Sequence, residues 1–257
     1  MRFWTPRNVR FPKISAFTPT HIRYSGLLPS GYFAAFSLRS FFDLGPDEDK
    51  PQFRSELLRH LGLPPERLAW AQQVHGAQVL EVREPQYAAG ADGLATNQPE
   101  LFLTVAVADC LPIYLWSEAP PAVALLHAGW RGSAAGIAAE GVRVMKDKFG
   151  CDPRALGALL GPAICGSCYQ VGPEVAHRFD ASELLHIKDG ELYLDLRRFN
   201  RRQLEESGVE SRNILIDDMC TRCSPKLLFS YRRDGKGTGR MIAVLGMTNT
   251  GMDRKRN

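Results

Sequence analysis

The chain has 257 residues, is 44% hydrophobic and 23% charged, and carries a net charge of +4. This composition excludes an intrinsically disordered chain, allows a sizeable core, and gives too little positive charge to predict nucleic-acid binding. Because residues 1–10 lack the apolar segment of a signal peptide and no apolar run approaches the roughly 20 residues of a membrane helix, we expect a cytoplasmic protein with no membrane partner.

The first part of the chain predicts short strands, loops and one helix. Apolar runs predict strands at residues 14–17, 69–74, 79–82, 101–107 and 113–116. Residues 18–47 are rich in Gly, Pro and Ser, so we expect loops there. Phe53, Leu57 and Leu61 mark an amphipathic helix that stops at Gly62.

Residues 122–132, with the sequence AVALLHAGWRG, predict a buried strand, a tight turn and the start of a helix. The strand delivers His127 to the turn, and Ser133 can cap the helix, whose apolar residues continue at helical spacing to Phe149. A strand end that feeds a helix start is a common place for ligand-binding groups, so we expect a site at His127.

The second part of the chain predicts a mixture of helices and strands. Strands are predicted at 155–160, 214–216, 228–231 and 241–245, the last two joined by the turn-rich loop 234–239. We expect Pro173 to be the first residue of a helix that ends near Phe179, and Asp195 to cap another. Strands joined by both short turns and helices imply a mixed sheet and an α+β fold.

Three segments each place a metal-competent side chain beside a strand end: His75, Cys110 and His127. Two imidazoles and one thiolate suit Zn²⁺, and three protein ligands would leave the fourth tetrahedral position open, as in catalytic zinc sites. Their separations match no local zinc signature, and a histidine at a strand end can equally be a hydrogen-bonded core residue.

The six cysteines include two CxxC pairs, Cys165 with Cys168 and Cys220 with Cys223. In a cytosolic chain, thiols or metal ligands are expected before disulfides. The two pairs could form a Cys₄ zinc site, although the gap between them exceeds the usual 15–20 residues. Free thiols or a local disulfide are the alternatives.

Several motifs resemble those of the YfiH-type family, whose members carry the names polyphenol oxidase, laccase-domain protein and purine nucleoside phosphorylase. They are QVHG at 73–76, ADG at 91–93, VADCLP at 107–112, HAGWRG at 127–132, GPAI at 161–164, YQVG at 169–172 and FSYRRDG…TGR at 229–240. The resemblance covers about residues 70–247 in the same order. It departs at residues 18–40, where an arginine of the family is absent or displaced to Arg23.

The resemblance implies a single domain over 1–257, with tails at 1–13 and 248–257, folded as an α-β-β-α layered sandwich. It implies a zinc site formed by His75, Cys110 and His127. The implied activities are phosphorolysis of adenosine, inosine, guanosine and methylthioadenosine, and deamination of adenosine, with metal-bound water or phosphate as nucleophile. Purine nucleosides and inorganic phosphate would be the small-molecule partners, and a homodimer is the default expectation.

Further residues near these motifs are candidates for catalysis and substrate binding. Asp109 could shuttle protons during deamination, or hydrogen-bond the backbone at its turn. Arg131 and Arg233 could bind phosphate through bidentate contacts, or act as ion-pair partners. Trp130 could line a purine pocket or belong to the core.

Three other functions remain as alternatives. A cysteine hydrolase would use Cys110 as nucleophile and His127 or His75 as base, without metal. A copper-dependent phenol oxidase is less favoured, because no His-X-His pair occurs in the sequence to build a multicopper cluster. A non-catalytic zinc protein would use the Cys₄ set.

Overall fold

The computed structural model describes residues 16–41, 51–180, 184–187 and 190–249. Its strands are β1 Ala16–Phe17, β2 His21–Arg23, β3 Tyr32–Ser37, β4 Leu68–Ala71, β5 Val79–Glu81, β6 Gln86–Ala88, β7 Gly93–Thr96, β8 Phe102–Val107, β9 Leu111–Glu118, β10 Pro121–Ala128, β11 Gly157–Leu160, β12 Gln170–Val171, β13 Leu184–Ile187, β14 Glu191–Leu194, β15 Ile214–Ile216 and β16 Met241–Met247. Its α-helices are α1 Pro51–His60, α2 Trp130–Ala134, α3 Ile137–Phe149, α4 Pro173–Ala176, α5 Leu196–Glu206 and α6 Tyr231–Asp234. Within these ranges, no helix has both the length and the apolar character needed to cross a bilayer.

The described strands form two large sheets and one small sheet. The first has seven strands in the order β1-β2-β3-β16-β8-β4-β6, and the second has six in the order β15-β11-β9-β10-β7-β5. Strands β12, β14 and β13 make the third. Both large sheets contain parallel as well as antiparallel pairs, so the predicted mixed-sheet α+β fold is confirmed.

The two large sheets enclose the main core, and strand β10 shows how the sequence divides its side chains. Val123 and Leu125 belong to the core that joins the two sheets, whereas Ala124 and Leu126 belong to a second core beneath α3. This alternation is the period of two that a strand imposes. On the other side, Arg54 of α1 donates to Thr104 of β8 at 2.8 Å. The layers therefore run helix, sheet, sheet, helix.

The expectation of loops over residues 18–47 holds at residues 18–20 and 24–31 but is wrong at residues 21–23 and 32–37. Strands β2 and β3 lie there, and β3 pairs with β16 in the interior of the seven-stranded sheet. The turn-forming residues flank a short apolar run that includes Phe33 and Phe36, whose side chains are buried. Burial of this run outweighs the turn-rich composition around it. The structure does not describe residues 1–15, 42–50 and 250–257. The expected N-terminal tail, the start of the first predicted strand and most of the expected C-terminal tail therefore lie outside the described residues.

Two other local predictions are wrong. Ser133 caps no helix: it lies inside α2, whose N-cap is Gly129, and Gly136 with φ 87° separates α2 from α3. Residues 228–231 form no strand, because Ser230 accepts a hydrogen bond from the Arg233 backbone and starts α6. The 234–239 segment is therefore not a hairpin turn.

Unlike the Ser133 prediction, the predictions at Pro173 and Asp195 agree with the structure at helix starts. Pro173 is the first residue of α4, although that helix ends at Ala176, short of the predicted Phe179. Asp195 accepts from the backbone N–H groups of Arg197 and Arg198 and caps α5. The remaining predicted strands are present with shifted ends.

Candidate functional site

His75, Cys110 and His127 meet where the chain crosses between the two large sheets. His75 lies on the loop from β4 to β5, Cys110 on the turn from β8 to β9, and His127 near the end of β10. Each offers one ligand atom, and these atoms all lie within 4.8 Å of one another. The two imidazole rings are edge to face, with centroids 5.0 Å apart. The sequence-predicted residues thus converge in space.

The burial of these three side chains leaves the cluster open on one side. His127 is only 3% exposed, Cys110 is half-buried and His75 is exposed. Gly129 packs directly against the cluster, because a Cβ at this position would lie 3.0 Å from Cys110 Sγ and 3.4 Å from His75 Cδ2. Solvent and small molecules can therefore approach from the His75 side.

Asp92 organises the site and was missed by the sequence reasoning, which used the ADG motif only as part of a family pattern. Its buried carboxylate accepts from His127 Nδ1 at 2.8 Å. It also accepts from the backbone N–H groups of Val74, His75 and Gly76 at 3.1, 2.9 and 2.7 Å. The carboxylate thereby holds the His75 loop, in which His75 adopts φ 60°, an uncommon backbone conformation.

The electrostatics of the cluster favour a thiolate beside an imidazolium when no metal is bound. Burial disfavours the Cys110 thiolate, but the charge and hydrogen bonds of His127 and His75 outweigh it and lower the Cys110 pKa to about 6. Burial likewise disfavours the His127 cation, yet Cys110 and Asp92 raise the His127 pKa to about 9. Burial works against ionisation of Asp92 as well, but hydrogen bonds from His127 and Gly76 lower its pKa.

The donor set fits a borderline metal ion. The hydrogen bond from His127 Nδ1 to Asp92 leaves Nε2 as the ring nitrogen that can face the other two ligand atoms. A carboxylate behind a ligating histidine is the usual arrangement around protein-bound metals, because it fixes the tautomer and orients the ring. One sulfur and two imidazole nitrogens match the ligand preferences of zinc and copper.

Asp109 adopts φ 88° at the turn before Cys110 and is buried. Its Oδ1 accepts from Thr221 Oγ1 at 2.5 Å, and its Oδ2 accepts from the Arg232 backbone at 2.6 Å. Its carbonyl accepts from the Ile164 backbone. The Asp109 carboxylate is thus held by a hydroxyl and a backbone N–H from two other segments, whereas the alternative offered by the sequence was a hydrogen bond to the backbone at its own turn.

The two arginines predicted to bind phosphate have different surroundings. Arg131 is exposed, with its guanidinium 4.3 Å from the ring centroid of the half-buried Trp130. Arg233 instead donates to the backbone oxygens of Thr221 and Leu228 at 2.9 Å and pairs with Asp234 at 2.7 Å. Its donors are therefore engaged within the protein.

Tyr169 and Arg232 complete the surroundings of the cluster and were not predicted as site residues. The Arg232 guanidinium lies 5.1 Å from the Tyr169 ring centroid. Burial and the nearby Cys110 raise the pKa of the Tyr169 hydroxyl, while Arg232 and Arg131 act in the opposite direction. The Tyr169 hydroxyl is thus close enough to the thiol and to both guanidinium groups to interact with their charges.

Comparison with known proteins gives relatives over most of the chain. A family model described as "Multi-copper polyphenol oxidoreductase laccase" matches residues 46–248. Purine nucleoside phosphorylase YlmD of Geobacillus stearothermophilus is 34% identical over 228 residues, covering 82% of this chain and 83% of that protein. Purine nucleoside phosphorylase YfiH of Escherichia coli is 37% identical over 207 residues, covering 78% and 82%.

Solved structures with a similar fold include one from Bacillus licheniformis and one from Geobacillus stearothermophilus. The crystal structure of the hypothetical protein YfiH of Bacillus licheniformis has a TM-score of 0.82 and 28% identity, covering 93% of this chain and 100% of that chain. The structure of YlmD from Geobacillus stearothermophilus has a TM-score of 0.83 and 28% identity, covering 92% and 99%. The layered arrangement described above is therefore shared with these proteins.

Proposed function

This chain belongs to the multi-copper polyphenol oxidoreductase laccase family, and from that premise we propose that it is a purine nucleoside phosphorylase that acts at a metal site formed by His75, Cys110 and His127. The proposal takes the activity from relatives named purine nucleoside phosphorylase. The location of the reaction is inferred from the geometry of this chain.

One observation carries the proposal: three ligand atoms from three separate segments lie within 4.8 Å of one another, and a buried carboxylate orients the most enclosed of them. Tetrahedral zinc with bonds of about 2.0–2.3 Å needs ligand atoms of this type at close range. Zinc in such a site would supply Lewis acidity while keeping one position for a substrate or water.

The residues around the cluster suit an anionic co-substrate. In phosphorolysis a phosphate oxygen bonds to C1′ of the sugar while the bond from C1′ to the purine nitrogen breaks, and the departing base takes up a proton. The Arg232 guanidinium lies 5.1 Å from the Tyr169 ring centroid, and the exposed Arg131 is close enough for its charge to act on the Tyr169 hydroxyl. Arginine donors in this position are suited to hold phosphate, and the ring of Trp130 offers an apolar face for a base.

Deamination of adenosine would need a carboxylic acid that can exchange protons with the substrate. Asp109 is bonded to Thr221 and Arg232, and Asp92 is bonded to His127 and the His75 loop. Since protein donors hold both carboxylates, we propose phosphorolysis as the main activity and expect deamination of adenosine to be the slower reaction.

The experiment is an assay of inosine and adenosine with and without inorganic phosphate, with products separated by chromatography. Phosphate-dependent release of hypoxanthine and adenine supports phosphorolysis, whereas conversion of adenosine to inosine without phosphate reports deamination. His127→Ala is expected to abolish both, and His177→Ala, an exposed histidine, serves as the matched control. Full activity of His127→Ala would overturn the proposal.

A metal-free cysteine hydrolase is the second candidate, because His127 links Asp92 to Cys110 in a nucleophile–base–carboxylate series. In such a series the thiolate is the nucleophile, histidine is the base, and the carboxylate orients the histidine. The same assay distinguishes the two functions. A hydrolase would keep its activity after chelation and would need no phosphate.

A further inference from the structure

Four cysteines outside the candidate site form a second group, which we call the thiol cluster. Cys165 and Cys168 lie on the loop that follows β11, and Cys220 and Cys223 lie on the loop that follows β15. Their four sulfur atoms all lie within 4.8 Å of one another. All four are free cysteines, so the fold brings together two CxxC pairs that are far apart in sequence.

The backbone around the cluster is built to hold these sulfurs together. Ala163 and Cys220 form a parallel bridge between the two loops. The backbone N–H groups of Cys165 and Cys223 both point at Cys220 Sγ, at 3.3 and 3.5 Å. N–H donors directed at sulfur favour thiolate over thiol. Cys168 Sγ and Cys223 Sγ lie 3.4 Å apart, near the roughly 3.8 Å that a tetrahedron with 2.3 Å zinc–sulfur bonds requires.

Two arginines lie near the thiol cluster. Four thiolates around a divalent ion would carry a net charge of −2, which nearby positive charges would partly offset. Arg197 is only 8% exposed and donates to the carbonyls of Ala163 and Met219 at 2.9 and 2.6 Å. Arg233 donates to the carbonyls of Thr221 and Arg222 on the loop that follows β15. Both guanidinium groups are close enough to Cys220 to interact with its charge.

We infer that the thiol cluster is a structural site for one zinc ion held by Cys165, Cys168, Cys220 and Cys223. Four soft thiolates from two CxxC pairs are a donor set of structural zinc. Each thiol gives its proton to solvent as the ion binds. The site is separate from the open His75–Cys110–His127 cluster, and it closes all four positions with protein ligands.

The bound ion would clamp two loops that form a wall of the candidate site. Ile164, beside Cys165, donates to the carbonyl of Asp109 at 3.1 Å, and Thr221, beside Cys220, donates to its carboxylate. Asp109 in turn precedes Cys110. Loss of the bound ion would therefore loosen the turn that carries Cys110.

The test is metal analysis and Co²⁺ substitution on the full chain. Cys110→Ser removes the thiolate of the open site, so a Co²⁺-loaded Cys110→Ser protein should still show intense sulfur-to-cobalt charge-transfer absorption. Adding Cys168→Ser should reduce that absorption and lower bound zinc by one ion per chain, whereas Cys151→Ser, a buried free cysteine elsewhere, should change neither. Cys223→His should retain the ion, since histidine replaces cysteine in structural zinc sites.

Three results would overturn the inference. The first is the absence of sulfur-to-cobalt charge-transfer absorption in the Co²⁺-loaded Cys110→Ser protein. Because this variant leaves the four cysteines of the thiol cluster unchanged, misfolding of a cluster variant cannot explain that result. The second is iron instead of zinc at the cluster in the purified protein. The third is alkylation of the four thiols only after reduction, which would show disulfides. None of these results depends on whether the chain cleaves nucleosides.

Discussion

Asp92 is the residue whose replacement tests the site most sharply. Its carboxylate is fully buried, with Oδ1 accepting from His127 and His75 and Oδ2 accepting from Val74 and Gly76. In Asp92→Asn one of the two acceptor oxygens becomes an NH₂ donor. If this new NH₂ group faces the loop, two backbone N–H groups lose their acceptor, at about 1–3 kcal/mol each.

If the new NH₂ group faces His127 instead, the imidazole must accept through Nδ1 and carry its proton on Nε2. That tautomer directs a proton, not a lone pair, at the other ligand atoms. Both orientations weaken metal binding, and loss of a carboxylate behind a ligating histidine typically lowers affinity by about 10–100-fold. Because one or two backbone N–H groups lose their acceptor, depending on the orientation, we expect Asp92→Asn to lose about 1–6 kcal/mol of unfolding free energy and at least about tenfold in metal affinity.

Urea unfolding of the metal-free protein gives the stability, and competition with a chromophoric chelator gives the affinity. Asp147→Asn is the matched control, because Asp147 is exposed and pairs with Arg143 at 3.0 Å, an interaction worth about 0.3–0.5 kcal/mol. Wild-type metal affinity and stability in Asp92→Asn would refute the role assigned to this carboxylate.

Four further predictions concern the cluster and its surroundings. Gly129→Ala places a Cβ 3.0 Å from Cys110 Sγ, so metal analysis should show loss of ion from the open site, whereas Gly237→Ala, with nothing within 4 Å, should retain it. Arg131→Ala should raise the KM for phosphate about tenfold or more in steady-state kinetics with unchanged thermal stability, and an unchanged KM would count against it as a phosphate ligand. Arg233→Ala should instead lower the unfolding free energy by about 1–3 kcal/mol, because its carbonyl contacts are lost, and a variant as stable as wild type would contradict this. Iodoacetamide should modify Cys110 slowly in the metal-loaded protein and rapidly after chelation, as mass spectrometry of peptides would show; equal rates would favour the cysteine hydrolase.

Residue type and strand position picked out three candidate ligands from the sequence, but did not by themselves join them into one site. His75, Cys110 and His127 each follow an apolar run that the structure shows as a strand, and motif resemblance joined the three. Asp92 could not be identified in this way, because its role depends on three backbone N–H groups and one ring nitrogen that only the fold brings together. Tyr169 was likewise not identified as a site residue, because the YQVG motif at 169–172 included it without assigning it a role.

Local composition misled where burial decided the structure. Strand β3 lies between turn-forming residues, and its apolar run is too short to stand out from them, yet it pairs in the interior of a sheet. Arg233 lies in a family motif, and sequence alone does not show that its donors reach the carbonyls of Thr221 and Leu228. Likewise, the long gap between the CxxC pairs counted against the Cys₄ set that the sequence offered, yet a parallel bridge between Ala163 and Cys220 brings the two loops together.

The most direct test of a metal-dependent phosphorylase site is to titrate zinc into the chelated protein and measure phosphate-dependent release of hypoxanthine from inosine at each step. The account predicts no activity without metal, a rise with added zinc until the site is filled, and no recovery in Cys110→Ala at any zinc concentration. Full activity in the chelated wild-type protein, or recovery of Cys110→Ala to the wild-type rate, would contradict it.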